Sequence, residues 1–294
     1  MAAMQTLIEK GWKDYSLLDS GDGYRLERFA QTLLVRPDPQ ALWERKLLPK
    51  VWNDVSAFFN KGEGERGNWQ VRKPIPPNWH LNYKNLQLEL KLSPFKHTGV
   101  FPEQAKQWEW LEQILLKNKS KPKVLNLFAY TGGASLVCAT HGAQVTHVDA
   151  SKPAITWARS NQALSHLENA PIRWILDDAI KFVMREERRG QKYDGIIMDP
   201  PAYGHGPTGE TWDFLRDFPK LLKSCANILT PNPLFFLINA YAISASALML
   251  KNCLADYLGS FKGTLLSGEL ALEEQSANRL LSTGIYASWE RKGN

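Results

Sequence analysis

Acidic residues recur at the ends of short apolar runs in this chain, and one such run leads into paired glycines. Residues 124–128 (VLNLF) form an apolar run short enough for a buried strand. Ala129, Tyr130, Thr131, Gly132 and Gly133 follow. Two glycines there let a ligand approach backbone N–H groups at a helix start. The stretch 134–141 suits a helix, Gly142 can end it, and a second apolar run at 144–148 delivers Asp149. Strand, glycine loop, helix, strand and acid are the core of a nucleotide-binding βαβ unit, in which the acid accepts hydrogen bonds from two ribose hydroxyls. The three-glycine dinucleotide fingerprint is absent, so the pattern alone fits an ordinary βαβ unit with a solvated acid equally well.

A later stretch decides between the two. Asp199-Pro200-Pro201-Ala202-Tyr203-Gly204 follows the apolar run 193–198. Each proline fixes φ and removes a donor, so the turn is rigid. It holds the Asp199 carboxylate and the Pro200 carbonyl as acceptors that can grip a planar amide or amine edge, with Tyr203 placed to stack on that plane. Asp178 ends another such run, 173–176, after Asp177. In open α/β sheets ligands sit beyond the carboxyl ends of the strands, where these acids fall.

The elements that must position these residues alternate. A helix is expected to begin at Pro102, Glu103 and Gln104, carrying Trp108, Leu111 and Leu115 at helical spacing. Further helices are expected near 151–167, 179–189, from Asp217 and Pro219 to about 229, and 244–258, with a fifth strand at 234–239 and two final antiparallel strands near 263–271 and 283–289. Strands alternating with helices predict an α/β fold with a mostly parallel sheet covered on both faces.

Residues 1–93 have another texture, dense in turn signals such as 19–23, 37–39, 61–64 and 76–77, with short strand-like pieces between them. Leu86, Leu88, Leu90 and Leu92 alternate with polar residues, as in a half-buried strand, and 41–59 has room for a short helix. The expected division is a small β-rich N-terminal domain, 1–93, and a larger α/β domain, 94–294. Trp12, Trp43, Trp52, Trp69 and Trp79 crowd the first. They suit the core of a small domain better than a platform for nucleobases.

Composition narrows the classes. The chain has 294 residues, 44% hydrophobic and 22% charged, with net charge +6. That mild basicity is compatible with a polyanionic partner but does not demand one. Cys138, Cys225 and Cys253 lie far apart, which argues against a disulfide framework or a zinc site. The N-terminus mixes charges and lacks a signal-peptide core, and the uncharged run 234–250 is interrupted by Asn239, Ser244 and Ser246. No membrane association is expected, and the expected compartment is the cytoplasm.

On NLFAYTGG (126–133), VDAS (148–151), DDAIKF (177–182) and DPPAYG (199–204), the chain resembles class I S-adenosylmethionine-dependent methyltransferases. More narrowly it is similar to the bacterial ribosomal-RNA large-subunit base methyltransferases with an added N-terminal domain, a family that includes cytosine-carbon-5 and guanine-N7 enzymes. The resemblance covers roughly 86–250. It implies a Rossmann-like methyltransferase sheet, S-adenosyl-L-methionine as cofactor, S-adenosyl-L-homocysteine as product, RNA (most simply ribosomal) as partner, and no metal. It places the cofactor against Asn126, Phe128, Ala129, Tyr130, Thr131, Gly132, Gly133, Asp149, Ala150, Ser151, Asp178 and Ala179. The loop would pass the methionine part, Asp149 would hold both ribose hydroxyls, and Asp178 would take the adenine amino group. Gln104 would touch the methionine end, and Asp199, Pro200, Pro201 and Tyr203 would hold the target base. Asn126 stands where the wider superfamily has an acid.

The reaction so implied is an in-line displacement that needs alignment and desolvation, on a base that is flipped out or single-stranded. Methylation at cytosine carbon 5 needs a covalent cysteine. No cysteine lies in 199–204 or in 239–242, so direct transfer to a lone-pair atom, most simply a nitrogen, is expected. Of the histidines only His205, in the glycine-rich loop after Tyr203, lies near the target turn, as a candidate base. The competing readings are a protein or small-molecule methyltransferase, a cytosine-carbon-5 RNA methyltransferase, a catalytically silent nucleoside or RNA binder and, least favoured, an NAD-dependent dehydrogenase.

Overall fold

The computed structural model describes residues 4–62, 66–77, 79–118 and 120–292. Glu63 and Gly64, expected to form a turn, lie outside the described residues. The chain separates into two compact units. One comprises the chain up to Leu7, Gln107–Leu270 and the residues from Gly284 on; the other comprises Ile8–Lys106 and Ala271–Thr283. The sequence boundary at 93/94 falls inside the second of these.

An eight-stranded sheet dominates the first unit. Its order is Gln5–Glu9, Gly263–Glu273, Leu280–Arg291, Phe235–Ala240, Gly195–Met198, Lys123–Leu127, Gln144–Asp149, Ile172–Leu176. The last five of these pair in parallel, whereas Leu280–Arg291 runs antiparallel to Phe235–Ala240. Lys123–Leu127 comes first in the chain among the parallel strands yet lies inside the sheet. The chain builds outward from it on one side, through Gln144–Asp149 and Ile172–Leu176. It then returns to build on the other, through Gly195–Met198 and Phe235–Ala240. That reversal is a topological switch point, where such sheets open a crevice beyond their carboxyl ends.

Burial of both faces explains why the parallel strands read as apolar runs. On one face Leu125, Leu127, Ile196, Met198, Phe236 and Ile238 pack with residues of helices Ala179–Arg188, Phe214–Asn227 and Ala247–Leu258. On the other, Val124, Val145, Ile197 and Leu237 pack with Leu111, Ile114 and Leu115 of helix Ala105–Lys117 and Cys138 and Ala139 of helix Gly133–Thr140. Helix starts are set by side-chain caps, each worth about 1 kcal/mol. Ser151, Asp178, Asp213 and Ser246 accept from Ala154, Lys181, Arg216 and Met249 N–H groups.

Two expectations are corrected here. The helix expected from Asp217 and Pro219 begins at Phe214, with Pro219 inside it. The Asp213 cap fixes the start, so the proline falls in the second turn. The segment after the double proline, read as a glycine-rich loop, is a small antiparallel ladder of Tyr203–His205 with Thr211–Asp213.

The second unit carries a five-stranded sheet, Tyr15–Gly21, Tyr24–Phe29, Thr32–Pro37, Ala57–Lys61 and Gly67–Val71 in that order, and the hairpin His80–Tyr83 with Leu86–Glu89. It is β-rich, as expected. The short helix for which 41–59 has room is Pro49–Asn53. Ala57–Lys61 is drawn into the sheet, pairing with both Thr32–Pro37 and Gly67–Val71, and aromatic Phe58 and Phe59 favour that state. The five tryptophans donate their indole N–H groups to Pro102, Ser20, Asp19, Ser93 and Phe29 inside the unit, which ties them into its structure.

Candidate active site

The switch point gathers the chemistry-bearing residues. Leu127 is in register with Val148 on one side and Met198 on the other. Asp149 and Asp199, each one residue further on, therefore flank the strand that feeds the glycine loop. Backbone bonds stitch the three ends together. Ala129 N–H donates to the Val148 carbonyl at 3.1 Å, and Asp199 N–H donates to the Leu127 carbonyl at 3.3 Å.

The loop is held in an unusual backbone state. Phe128 and Tyr130 have φ of +53° and +49°, and Gly132 has +87°. Left-handed backbone at non-glycine residues is uncommon and persists where the surroundings over-determine it, often at ligand sites. Here the restraints are visible. Tyr130 N–H donates to Asp149 Oδ2 at 2.8 Å. Asn161 Nδ2 donates to the Thr131 carbonyl at 2.9 Å. A Cβ at Gly132 would stand 3.2 Å from the Ala158 Cβ, and one at Gly133 only 2.5 Å from Trp108 Cζ2.

Asp149 is half-buried, and each oxygen takes one backbone N–H, from Tyr130 and from Ser151, both at 2.8 Å. Burial pushes its carboxyl above the ordinary range, and the two N–H groups pull it partly back. A carboxylate has about four acceptor positions, so lone pairs remain for a vicinal diol. Ala150 is half-buried beside it, and Ser151 caps the next helix. The Asp177 N–H donates to the Asp149 carbonyl at 3.1 Å, which draws the following acid to the same end of the sheet. Asp178 spends Oδ1 on the Lys181 N–H at 2.9 Å, and Ala179 is buried at the first helical position. The donor set therefore fits a nucleoside-bearing cofactor: two carboxylates with spare acceptors, beside a loop whose backbone is locked in shape.

The double-proline turn lies across the central strand from Asp149. Pro200 is buried, Asp199 is half-buried, and Tyr203 is 58% exposed. Trp212, which sequence reasoning passed over, clamps the turn. Its indole N–H donates to the Pro201 carbonyl at 2.6 Å, and its ring packs on Phe128 with centroids 4.9 Å apart. One residue thus joins the acceptor turn to the first residue of the glycine loop. His205 sits edge-on to Tyr203, centroids 5.2 Å apart, on the exposed ladder.

A second brace was also missed. Gln107 and Asn239 exchange two amide hydrogen bonds, 2.6 and 2.9 Å, in a buried site at the carboxyl end of the fifth parallel strand. Trp108, the next residue, packs on Gly133. The start of one helix therefore supports both the glycine loop and the strand beside the double-proline turn. No local signal marks these pairs, whose partners lie far apart in sequence. Gln104 belongs to the other unit, where it closes the turn Pro102–Gln104 ahead of helix Ala105–Lys117.

None of the three cysteines is an activated nucleophile. Cys138 and Cys225 are fully buried and Cys253 half-buried. Burial pushes the Cys138 thiol up to about 12 and raises the other two as well, the reverse of what a reactive thiolate needs. Among the described residues no helix is long and apolar enough to cross a membrane.

The chain is similar to several known proteins. The family model for S-adenosylmethionine-dependent methyltransferases matches residues 63–256. The crystal structure of an S-adenosylmethionine-dependent methyltransferase from Agrobacterium tumefaciens superposes with a TM-score of 0.95 at 41% identity, covering 99% of this chain and 95% of that one. The ribosomal RNA large subunit methyltransferase K/L of Shewanella frigidimarina is 36% identical over 149 residues, 50% of this chain and 20% of that protein. The protein of that name from Shewanella baltica strain OS155 is 34% identical over 213 residues, 66% of this chain and 28% of its own length. The chain thus spans between a fifth and about a quarter of these curated relatives.

Proposed function

This chain belongs to the family of S-adenosylmethionine-dependent methyltransferases, and from that membership we propose that its acceptor is a nucleobase of RNA, most simply ribosomal RNA, methylated by direct transfer. The observation that carries the proposal is the turn Asp199-Pro200-Pro201-Ala202-Tyr203, set beside the glycine loop and ending in a largely exposed tyrosine. The names of the Shewanella relatives point the same way.

When bound, S-adenosylmethionine supplies a methyl carbon on a positively charged sulfur, electrophilic enough that the protein's task is alignment and exclusion of water. In this reading Asp149 accepts from the two ribose hydroxyls with the lone pairs that Tyr130 and Ser151 leave over, and Ala150 and Ser151 line the same side. Asp178 accepts from the adenine amino group with its second oxygen, beside Ala179. Asn126 and Phe128–Gly133 shape the path of the amino-acid end. Trp212 takes the Pro201 carbonyl, and the Pro200 carbonyl and the Asp199 carboxylate are the groups assigned to a base edge. Tyr203 stacks on the base face, a contact worth about 1–3 kcal/mol for a base on an aromatic ring. Direct transfer is supported by the buried, raised thiols, and a nitrogen lone pair is the simplest target. The cytoplasm is the compartment this function implies.

The test is transfer of tritiated methyl from S-adenosylmethionine to large-subunit ribosomal RNA, followed by nucleoside mass analysis. Label in a single base methylated on nitrogen is expected. Label on protein or on a small molecule would replace the acceptor, and a covalent adduct trapped with 5-fluorocytosine RNA would replace the direct mechanism.

A further inference from the structure

The buried side of the βαβ unit holds a hydrogen-bond chain of which only Asn126 has a role above. Asn126, His147 and Trp174 stand side by side on three neighbouring parallel strands, Asn126 in register with His147 and His147 with Trp174. Ser135, third residue of helix Gly133–Thr140, sets its hydroxyl between the first two. Asn126 Nδ2 lies 2.9 Å from Ser135 Oγ, which lies 3.0 Å from His147 Nδ1. Asn126 is 3% exposed, and Ser135 and His147 are fully buried.

An amide NH2 only donates, so the serine oxygen receives it, and the hydroxyl proton is available to His147 Nδ1. In that arrangement His147 is the neutral tautomer with its proton on Nε2. That atom is buried with no hydrogen-bond acceptor. Trp174 lies with its ring centroid 4.6 Å away, and Gly132 lies alongside. Burial alone pushes the imidazole down to about 3, so it stays neutral across the working range. An unmade buried hydrogen bond costs about 1–3 kcal/mol. A residue needed only for packing would be apolar, so the imidazole is explained by what Nδ1 does.

We propose that Ser135 and His147 are positioning residues for the methyl donor. Their chain to Asn126 ties the first turn of the helix to the two strands that end in the glycine loop and in Asp149. It thereby sets the spacing between the loop backbone and the ribose-binding carboxylate. The proposal rests on the reading of Asp149 and the loop as the donor site, and its test separates the two.

The test is titration of S-adenosylhomocysteine into wild type, Ser135→Ala, His147→Leu, His147→Asn and Asp149→Ala, with 15N NMR of the His147 ring in the wild type. Ser135→Ala and His147→Leu are expected to weaken binding about tenfold, while His147→Asn, whose side-chain carbonyl can take the serine proton, stays within about threefold of wild type. The ring is expected as the Nε2–H form, without titration between about pH 5 and 9. Wild-type affinity in Ser135→Ala with binding lost in Asp149→Ala would overturn the positioning role, as would an Nδ1–H tautomer in the unmutated protein. Unchanged binding in Asp149→Ala would instead overturn the donor-site reading beneath it.

Discussion

At the scale of single residues, the acids were legible and their supports were not. Asp149, Asp178 and Asp199 each follow an apolar run, and a strand-end carboxylate is a local signal that periodicity exposes. Trp212, Gln107, Ser135 and His147 act through partners from 9 to 132 positions away, and only the fold creates those contacts. The glycines were read as a close approach to a ligand, and the structure adds that Gly132 and Gly133 are also packed against protein. At Gly132 the φ of +87° and the 3.2 Å approach to Ala158 act together. Gly132→Ala is expected to destabilise the first unit by about 1–3 kcal/mol, read as a lowered denaturant midpoint at unchanged slope. Tyr203 makes the opposite prediction. It is exposed, so Tyr203→Ala is expected to leave the midpoint within about 0.5 kcal/mol. It should lower kcat/KM for the RNA acceptor about tenfold or more, with KM for S-adenosylmethionine unchanged.

At the scale of elements, the alternating pattern carried the sheet, and errors gathered after the double proline. Asp217 and Pro219 look like a helix start, yet Asp213 caps the helix three to four residues earlier and the proline is accommodated inside it. The stretch after Tyr203 reads as a glycine-rich loop because Gly204, Gly206 and Gly209 punctuate it, yet Tyr203–His205 and Thr211–Asp213 are strands. They pair as a ladder because Trp212 anchors one arm to the Pro201 carbonyl and to Phe128. The ladder is therefore the mount of Tyr203. Trp212→Phe keeps the ring packing and deletes the bond to Pro201. It is expected to cost about 1–2 kcal/mol of stability and to lower acceptor turnover while S-adenosylhomocysteine affinity stays put. Calorimetric titration beside a single-turnover assay would check that split.

At the scale of the molecule, each unit has its own source of stability. The first relies on apolar layers over both faces of its parallel sheet. The second buries an ionic group: Arg36 donates to both oxygens of Glu27 at 2.6 and 2.7 Å, and Tyr15 donates to Glu27 at 2.8 Å. Arg25 is nearby at 3.4 Å. Burial alone would raise the Glu27 carboxyl, but Arg25 and Arg36 outweigh it and the net direction is down. Its contribution is therefore whole above the unfolded value, about 4.3. It is lost as pH falls through the lower folded value. Glu27→Gln, which takes the carboxylate away from two buried guanidinium groups, is expected to cost about 3–5 kcal/mol at pH 7. The gap from wild type should close in acid, as thermal melts across pH would record. The strand-end division of labour is the central claim for the whole chain, with Asp149 serving the methyl donor and Asp199 the acceptor. Titration of S-adenosylhomocysteine into Asp149→Ala and Asp199→Ala tests it most directly. Binding is expected to weaken at least about tenfold in the first and to stay within about twofold of wild type in the second; equal affinity in both variants would refute that division.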